Sequence, residues 1–562
     1  MKPKPSSEPC VMQWGFKIMS NEYTAYTPWD ATLAERYRQQ GYWAGLTLDH
    51  ILRHSAEAFA ERHAMVDGER SLSYRQLLIR VRQLASGLQQ QGVAYGDRVI
   101  VQLPNSIEFV EVVFALFMIG AIPVFALPAH RYQEISHFCA IAGAKAYIGV
   151  DRFSGFDYRE LARRLVREQT LYSVVIRGEA AEFVELESLY AEPVSATRGD
   201  ATALALLQLS GGTTNIPKLI PRTHDDYYYS VRASVDVCQL TSDTVYLAAL
   251  PMAHNFPLSS PGVLGVLYAG GCVVVATNPA PDACFELIEQ HRVTMTSLVP
   301  PLAMVWMQAA GNNQRDLSSL QLIQVGGAKF GAQPAARLKQ AFKCQLQQVF
   351  GMAEGLVNYT RLDDDDALVL NTQGRPMSAA DEIRIVDDQD RPVARGETGQ
   401  LLTRGPYTIR GYYRAAEHNR QSFTDDGFYR TGDVARLTEQ GYLVVEGRVK
   451  DQINRGGEKI AAAEVENHLL AHALIGDVAL VSMPDPFLGE KTCAFIVPGT
   501  DTDPLPKAIE LRRFLSERGL AEYKIPDRFE FFRELPKTGF GKVNKQVLRS
   551  ILSDQRQRMQ SA

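Results

Sequence analysis

Paired cysteines are the first feature missing from this 562-residue chain. Cys10, Cys139, Cys238, Cys272, Cys284, Cys344 and Cys493 are scattered, odd in number and without a CxxC pair. That excludes a disulfide framework or a cysteine-based zinc site and points to reduced thiols in a cytoplasmic setting. A charge excess is also missing: 59 basic against 64 acidic residues leave a net −5, with no electrostatic ground for binding nucleic acid. The longest apolar run, Phe109 to Leu127, contains Glu111 and is interrupted by Gly120 and Pro123. It reads as a buried helix, FVEVVFALFMIG, turning into a strand, AIPVFAL, so no membrane segment is expected. The opening MKPKPSSEPCVMQWGFKIMSNEY has no apolar core for a secretory signal. Residues 1–18 are expected to be a flexible extension, with Met19 a candidate start. Repeats, low-complexity tracts, a GxxxxGK[ST] loop and a GxSxG elbow are all absent, which removes the main support for P-loop kinase, GTPase and serine-hydrolase readings.

What is present is the composition of a folded protein, 46% hydrophobic and 22% charged, in a chain too long for one core. SYRQLLIRVRQLASGL opens with Ser73 and Gln76 at capping-box spacing and carries Leu77, Val81, Leu84 and Leu88 on one helical stripe. RVIVQL, KAYIGV, ALALLQL, GCVVVAT, TMTSLVP and LQLIQVGG are short strands apolar on both faces, with helical stretches such as CFELIEQH between several of them. The pattern implies an α/β fold with parallel sheets covered by helices. From about residue 380, EIRIVD, GQLLTRG and GYLVVEG suggest a small β-rich subdomain. GRVKDQINRGGEK follows as a candidate hinge, and AEVENHLLAH, DVALVSM, CAFIVP, IELRRFLSERG and RFEFFREL alternate helix and strand beyond it. The expected division is an N-terminal domain over 19–449 and a small, mobile α+β C-terminal domain over 450–562.

The strand ALALLQL runs into SGGTTNIPK, from Ser210 through Gly211, Gly212, Thr213 and Thr214 to Lys218. Glycines and hydroxyls at a strand end form a nest of N–H and O–H donors for phosphate oxygens, and Lys218 adds a point charge. Alone, such a loop is as readily an ordinary Gly/Thr turn. Four further stretches accompany it: VGGAKF (325–330), QVFGMAEG (348–355), YRTGDVARL (429–437) and EGRVKDQINRGGEKI (446–460), with LPKTGFGKVNK near the end. Singly, each reads as a turn or a solvated loop.

In this order and spacing the set resembles the adenylate-forming superfamily of acyl-CoA synthetases, peptide-synthetase adenylation domains and luciferases, from about residue 28 onward. The resemblance implies ATP and Mg2+ as cofactors and assigns roles by position. Ser210–Lys218 would cradle phosphates; Asn215 stands where the family usually has glycine, and asparagine tolerates a left-handed backbone. Gly327 and Ala328 would leave room for adenine, the backbone of Val349, Phe350, Gly351 and Met352 would flank it, and Glu354 would help hold magnesium. Asp433 would accept from both ribose hydroxyls, a role suited to an acceptor-only carboxylate, and Arg448 would reach the ribose. Lys542 lies where the family has its C-terminal catalytic lysine. Lys450 lies at the pivot position, and Gly456 and Gly457 would line a thiol tunnel after a rotation of the C-terminal domain.

PMAHNFPLSSPG (251–262) and GMAEGLVNYTRL resemble more narrowly the stand-alone aryl acid adenylating enzymes of catechol and phenolate siderophore synthesis. Asn255 stands where amino-acid adenylation domains place an aspartate against the substrate ammonium; an amide can instead bond a phenolic hydroxyl. Ser260 and Val357 match the 2,3-dihydroxybenzoate enzymes rather than the cysteine and leucine of salicylate enzymes, while Phe256 departs from their usual tyrosine. His254 would lie near the activated carboxyl, as a catalytic or a structural residue. The implied activity is formation of aryl-AMP with release of pyrophosphate, then transfer to phosphopantetheine on a separate aryl carrier protein, because no carrier segment follows Lys542. The alternatives are salicylate as the acid, coenzyme A as the acceptor, or a non-catalytic homologue. The last is disfavoured by retention of Lys542, Glu354 and Asp433.

Overall fold

The structure is a computed structural model that describes residues 25–169, 171–193, 199–210, 217–455, 458–485, 487–499, 505–538 and 541–560. The expectations for the N-terminal extension, for Gly211–Thr214 and for Gly456 and Gly457 lie outside the described residues. Two large sheets form the body. One has seven strands, with Leu204–Leu209, Ile122–Phe125, Arg98–Val101, Ala146–Val150, Ser173–Arg177 and Val184–Glu185 parallel in that order and Leu219–Thr223 antiparallel at the edge. The other has nine strands, among them the parallel neighbours Val245–Ala248, Met295–Leu298, Leu322–Gly326 and Gln345–Met352. Parallel strands need crossover helices, and these bury both sheet faces, which is why the strand sequences lack alternation.

Local signals produce the connecting helices. Ser73 and Gln76 close a capping box at the start of helix Tyr74–Gln90, whose Leu77, Val81, Leu84 and Leu88 are buried. Helix Ile107–Ile119 is buried along its whole length and ends at Gly120, in the left-handed conformation that a glycine adopts without a Cβ penalty. The buried Glu111 on it is paired with Arg80.

A four-stranded antiparallel sheet follows, made of Glu382–Val386, Gly399–Arg404, Tyr429–Leu437 and Leu443–Arg448. Its third strand is YRTGDVARL, a stretch that texture alone does not mark as a strand. The 3₁₀ turn Val449–Asp451 leads from it to Gln452–Arg455, the first strand of a separate five-stranded sheet that continues with Glu458–Ala461, Ile475–Asp485, Gly489–Pro498 and Arg528–Phe531. The five-stranded sheet has cores of its own, one built on Ile453, Val465, Leu480 and Ile496. No helix among the described residues is long and apolar enough to cross a membrane. The six described cysteines are all free.

Candidate active site

A cavity of about 360 Å³ opens where the ends of the nine-stranded sheet, the four-stranded sheet and the C-terminal segment meet. Gly327, Ala328, Val349, Phe350, Gly351 and Met352 supply one wall, Asp433 and Arg448 the second, and Lys542 the third. Asp433 and Arg448 sit opposite each other on adjacent antiparallel strands, and Nε of Arg448 lies 2.8 Å from Oδ1 of Asp433. Burial pushes the Asp433 carboxyl up, while the charges of Arg448 and Lys542 pull it down.

Glu354 lies in the turn between strands Gln345–Met352 and Gly355–Tyr359 and is buried. The Tyr412 hydroxyl donates to its Oε1 at 2.8 Å and is itself 2.8 Å from the Tyr429 hydroxyl. Burial raises the Glu354 carboxyl, opposed first by the Tyr412 hydrogen bond, and Arg448 lowers it further. Among the described residues no three His, Cys, Asp or Glu side chains cluster as a complete metal cage. One buried carboxylate is nevertheless enough for a magnesium ion that would arrive on a triphosphate and take most of its oxygens from phosphate and water. Ser210 and Lys218, the described ends of the expected phosphate loop, are tied together: their backbone N–H groups donate to the Lys218 carbonyl and the Ser210 hydroxyl, both at 2.9 Å. Nζ of Lys218 stands 5.8 Å from the centre of the Tyr412 ring, which puts the loop cation and Glu354 around one tyrosine.

Asn255, Phe256, Ser260 and Val357, expected at the acid, do not line this cavity and form a shell behind its wall. Phe256, Val357 and Val349 share a buried cluster with Val299, and Val299 and Val349 also line the cavity. Two glycines allow this packing: a Cβ on Gly326 would lie 3.0 Å from the Phe256 ring, and one on Gly351 would lie 3.2 Å from the Val357 methyls. Asn255 is buried, and its Oδ1 accepts from the Tyr227 hydroxyl at 2.8 Å. Ser260 is buried beside Tyr359.

His254 caps the short helix Asn255–Ser259, its Nδ1 accepting the Phe256 N–H at 3.2 Å. Burial, then the Lys542 charge, push this imidazole down to about 3. It is therefore neutral near pH 7, and with Nδ1 accepting, its proton sits on Nε2. The Lys542 charge thus acts on both His254 and Asp433.

Tyr412, Tyr227 and Val299 take part in the site without having been marked by the sequence. Each is distant in the chain from what it touches, and no spacing rule connects GPYTIRGYY to the glutamate it holds.

Comparison with known proteins agrees with this geometry. The AMP-binding enzyme family matches residues 52–413, and the AMP-binding enzyme C-terminal domain matches 464–542. The chain is 62% identical to a 2,3-dihydroxybenzoate-AMP ligase of Bacillus subtilis over 530 residues, covering 94% of this chain and 98% of that one. It is 52% identical to the vibriobactin-specific 2,3-dihydroxybenzoate-AMP ligase of Vibrio cholerae, covering 94% and 97%. Among solved structures, apo MbtA of Mycobacterium smegmatis superposes with a TM-score of 0.74 at 44% identity, over 95% of this chain and all of that one. Family matches over both parts of the chain and relatives aligned nearly end to end show that the chain belongs to the AMP-binding enzyme family.

Proposed function

We propose that the protein activates 2,3-dihydroxybenzoate with ATP and passes the aryl group to a carrier thiol in the cytoplasm. The observation that carries the reading is the position of Lys542, which lines the same cavity as Asp433 on the proposed ribose side and whose charge also reaches His254 on the proposed acid side. A cation there stands where a carboxylate and an α-phosphate would meet. In the first step a carboxylate oxygen attacks the α-phosphorus, a P–O bond forms, and the bond to pyrophosphate breaks. Lys542 stabilises the charge that moves between the two oxygens. Asp433 and Arg448 hold the ribose, while Gly327, Ala328 and the Val349–Met352 backbone accommodate adenine. Glu354 would help hold magnesium, which when bound would screen the negative charge that opposes attack. His254, neutral with its proton on Nε2, is a hydrogen-bond donor for the carboxylate rather than a base.

The acid assignment rests on the shell. Asn255 offers an amide where a substrate ammonium would need a carboxylate, and Ser260 and Val357 leave room and a polar partner for a second ring hydroxyl. The 2,3-dihydroxybenzoate-AMP ligase at 62% identity supports the same acid. In the second step the phosphopantetheine thiol of a separate aryl carrier protein attacks the acyl carbon, forming a thioester and releasing AMP. The C-terminal domain turns at Lys450 to bring Gly456 and Gly457 to the site.

Pyrophosphate exchange across a panel of benzoic acids tests the first step. The highest kcat/KM is expected for 2,3-dihydroxybenzoate; clear preference for salicylate would overturn the acid assignment, and no exchange with any benzoic acid would overturn adenylation. Transfer to free coenzyme A as fast as to a carrier would overturn the acceptor.

A further inference from the structure

One buried cation touches both halves of the site. Arg222 lies near the end of the strand that leaves the phosphate loop and is 2% exposed. Its Nη1 donates to the carbonyl of Ala353, the residue before Glu354, at 3.0 Å. Its Nε donates to Oδ1 of Asp226 at 2.7 Å, and its Cζ stands 4.7 Å from the centre of the Tyr227 ring. The Tyr227 hydroxyl in turn donates to Asn255. Asp226 is fixed independently, because its Oδ2 accepts from the Thr223 N–H at 2.8 Å and the Thr223 hydroxyl at 2.6 Å in a capping box.

A buried ion pair is weak support for stability, since apolar residues of similar volume commonly do as well. What a guanidinium adds is a rigid planar fork that serves a carboxylate and a carbonyl while its face lies on an aromatic ring; an ammonium cannot do all three. We infer that Arg222 is a positioning residue that sets the acid pocket and the magnesium–nucleotide side together, Asn255 through Tyr227 and Glu354 through the Ala353 carbonyl. This rests on the adenylation reading above. No group of Arg222 reacts; it fixes where two reacting partners are held.

The test uses the full-length protein in pyrophosphate exchange, with 2,3-dihydroxybenzoate, ATP and Mg2+ varied separately. Y227F keeps the ring under Arg222 and removes only the bond to Asn255. It is expected to raise KM for the acid about tenfold, the effect of losing one hydrogen bond, and to leave KM for ATP and the Mg2+ half-saturation unchanged. R222K keeps a charge beside Asp226 but loses the fork, and is expected to raise both the acid KM and the Mg2+ half-saturation severalfold. If R222K does not fold, D226N loosens the guanidinium and should move the same two parameters in the same direction by less. The inference is overturned if the Arg222 or Asp226 variant shifts only one side of the site, shifts neither, or lowers kcat alone. It is overturned equally if Y227F weakens ATP as much as acid. If even the parent gives no exchange, the adenylation reading has failed instead, and calorimetric binding of acid and of Mg-ATP to the same variants makes the comparison.

Discussion

At the scale of single residues, the site is built from charges whose burial is only partly compensated. Glu354 is the clearest case: burial pushes its carboxyl up, and the Tyr412 hydrogen bond is the largest of the influences opposing it. Tyr412→Phe removes that donor, so the carboxyl rises further and, in its proposed metal-binding role, would have to lose its proton at higher pH. The acid limb of the exchange pH profile should move to higher pH and the Mg2+ requirement should increase; an unmoved limb would show that Tyr412 is only packing. Lys542→Ala should lower exchange by on the order of 10²–10³, as for loss of one preorganised donor at a developing charge, with the fold retained by circular dichroism. Behind Val357, burial pushes Asp381 up to about 8 against a hydrogen bond from Tyr407 at 2.6 Å, and the Tyr407 hydroxyl also accepts the Val357 N–H at 3.0 Å. The native state then keeps a proton that the unfolded chain, with an ordinary value of 3.8, has released. Stability from this group is fully present below the unfolded value and falls as pH rises toward the folded one, by up to about 1.4 kcal/mol per pH unit. Asp381→Asn should therefore gain in thermal midpoint over the parent as pH goes from about 5 to about 8, and a constant difference would contradict the shift. The residue types of the site were legible in the sequence, because the motifs fix them in order. Their supports, such as Tyr412 on Glu354 and Tyr227 on Asn255, were not, because those contacts join segments that only the folded chain brings together.

At the scale of elements, local chemistry predicts well where it decides alone. The capping box at Ser73 and the stripe Leu77, Val81, Leu84 and Leu88 specify the helix that forms, and Ser73→Ala should cost about 1 kcal/mol of stability in denaturant melts. The apolar runs KAYIGV, GCVVVAT and LQLIQVGG contain the strands Ala146–Val150, Cys272–Val275 and Leu322–Gly326, since double burial leaves a continuous apolar signature. Strand Tyr429–Leu437 carries no such signature, because polar Thr431 and Asp433 stand on it where alternation would otherwise show. The link at Val449–Asp451 is a single 3₁₀ turn, too short for an apolar stripe to mark it in the sequence.

At the scale of the whole molecule, the cavity is bounded by both bodies, so its occupant joins them. A non-hydrolysable mimic of the aryl-adenylate should raise the melting temperature in proportion to RT ln(1 + [L]/Kd), and the rise should shrink in Lys542→Ala, which withdraws the C-terminal contribution. Arg448 is the last residue of the four-stranded sheet, and its bond to Asp433 lies wholly on the N-terminal side of the 3₁₀ turn. The proposed mooring for the sugar would thus belong to the stationary partner. A swing of the smaller body would carry Lys542 away yet leave the energised mixed anhydride tethered by its ribose, safe from escape into water before the thiol comes.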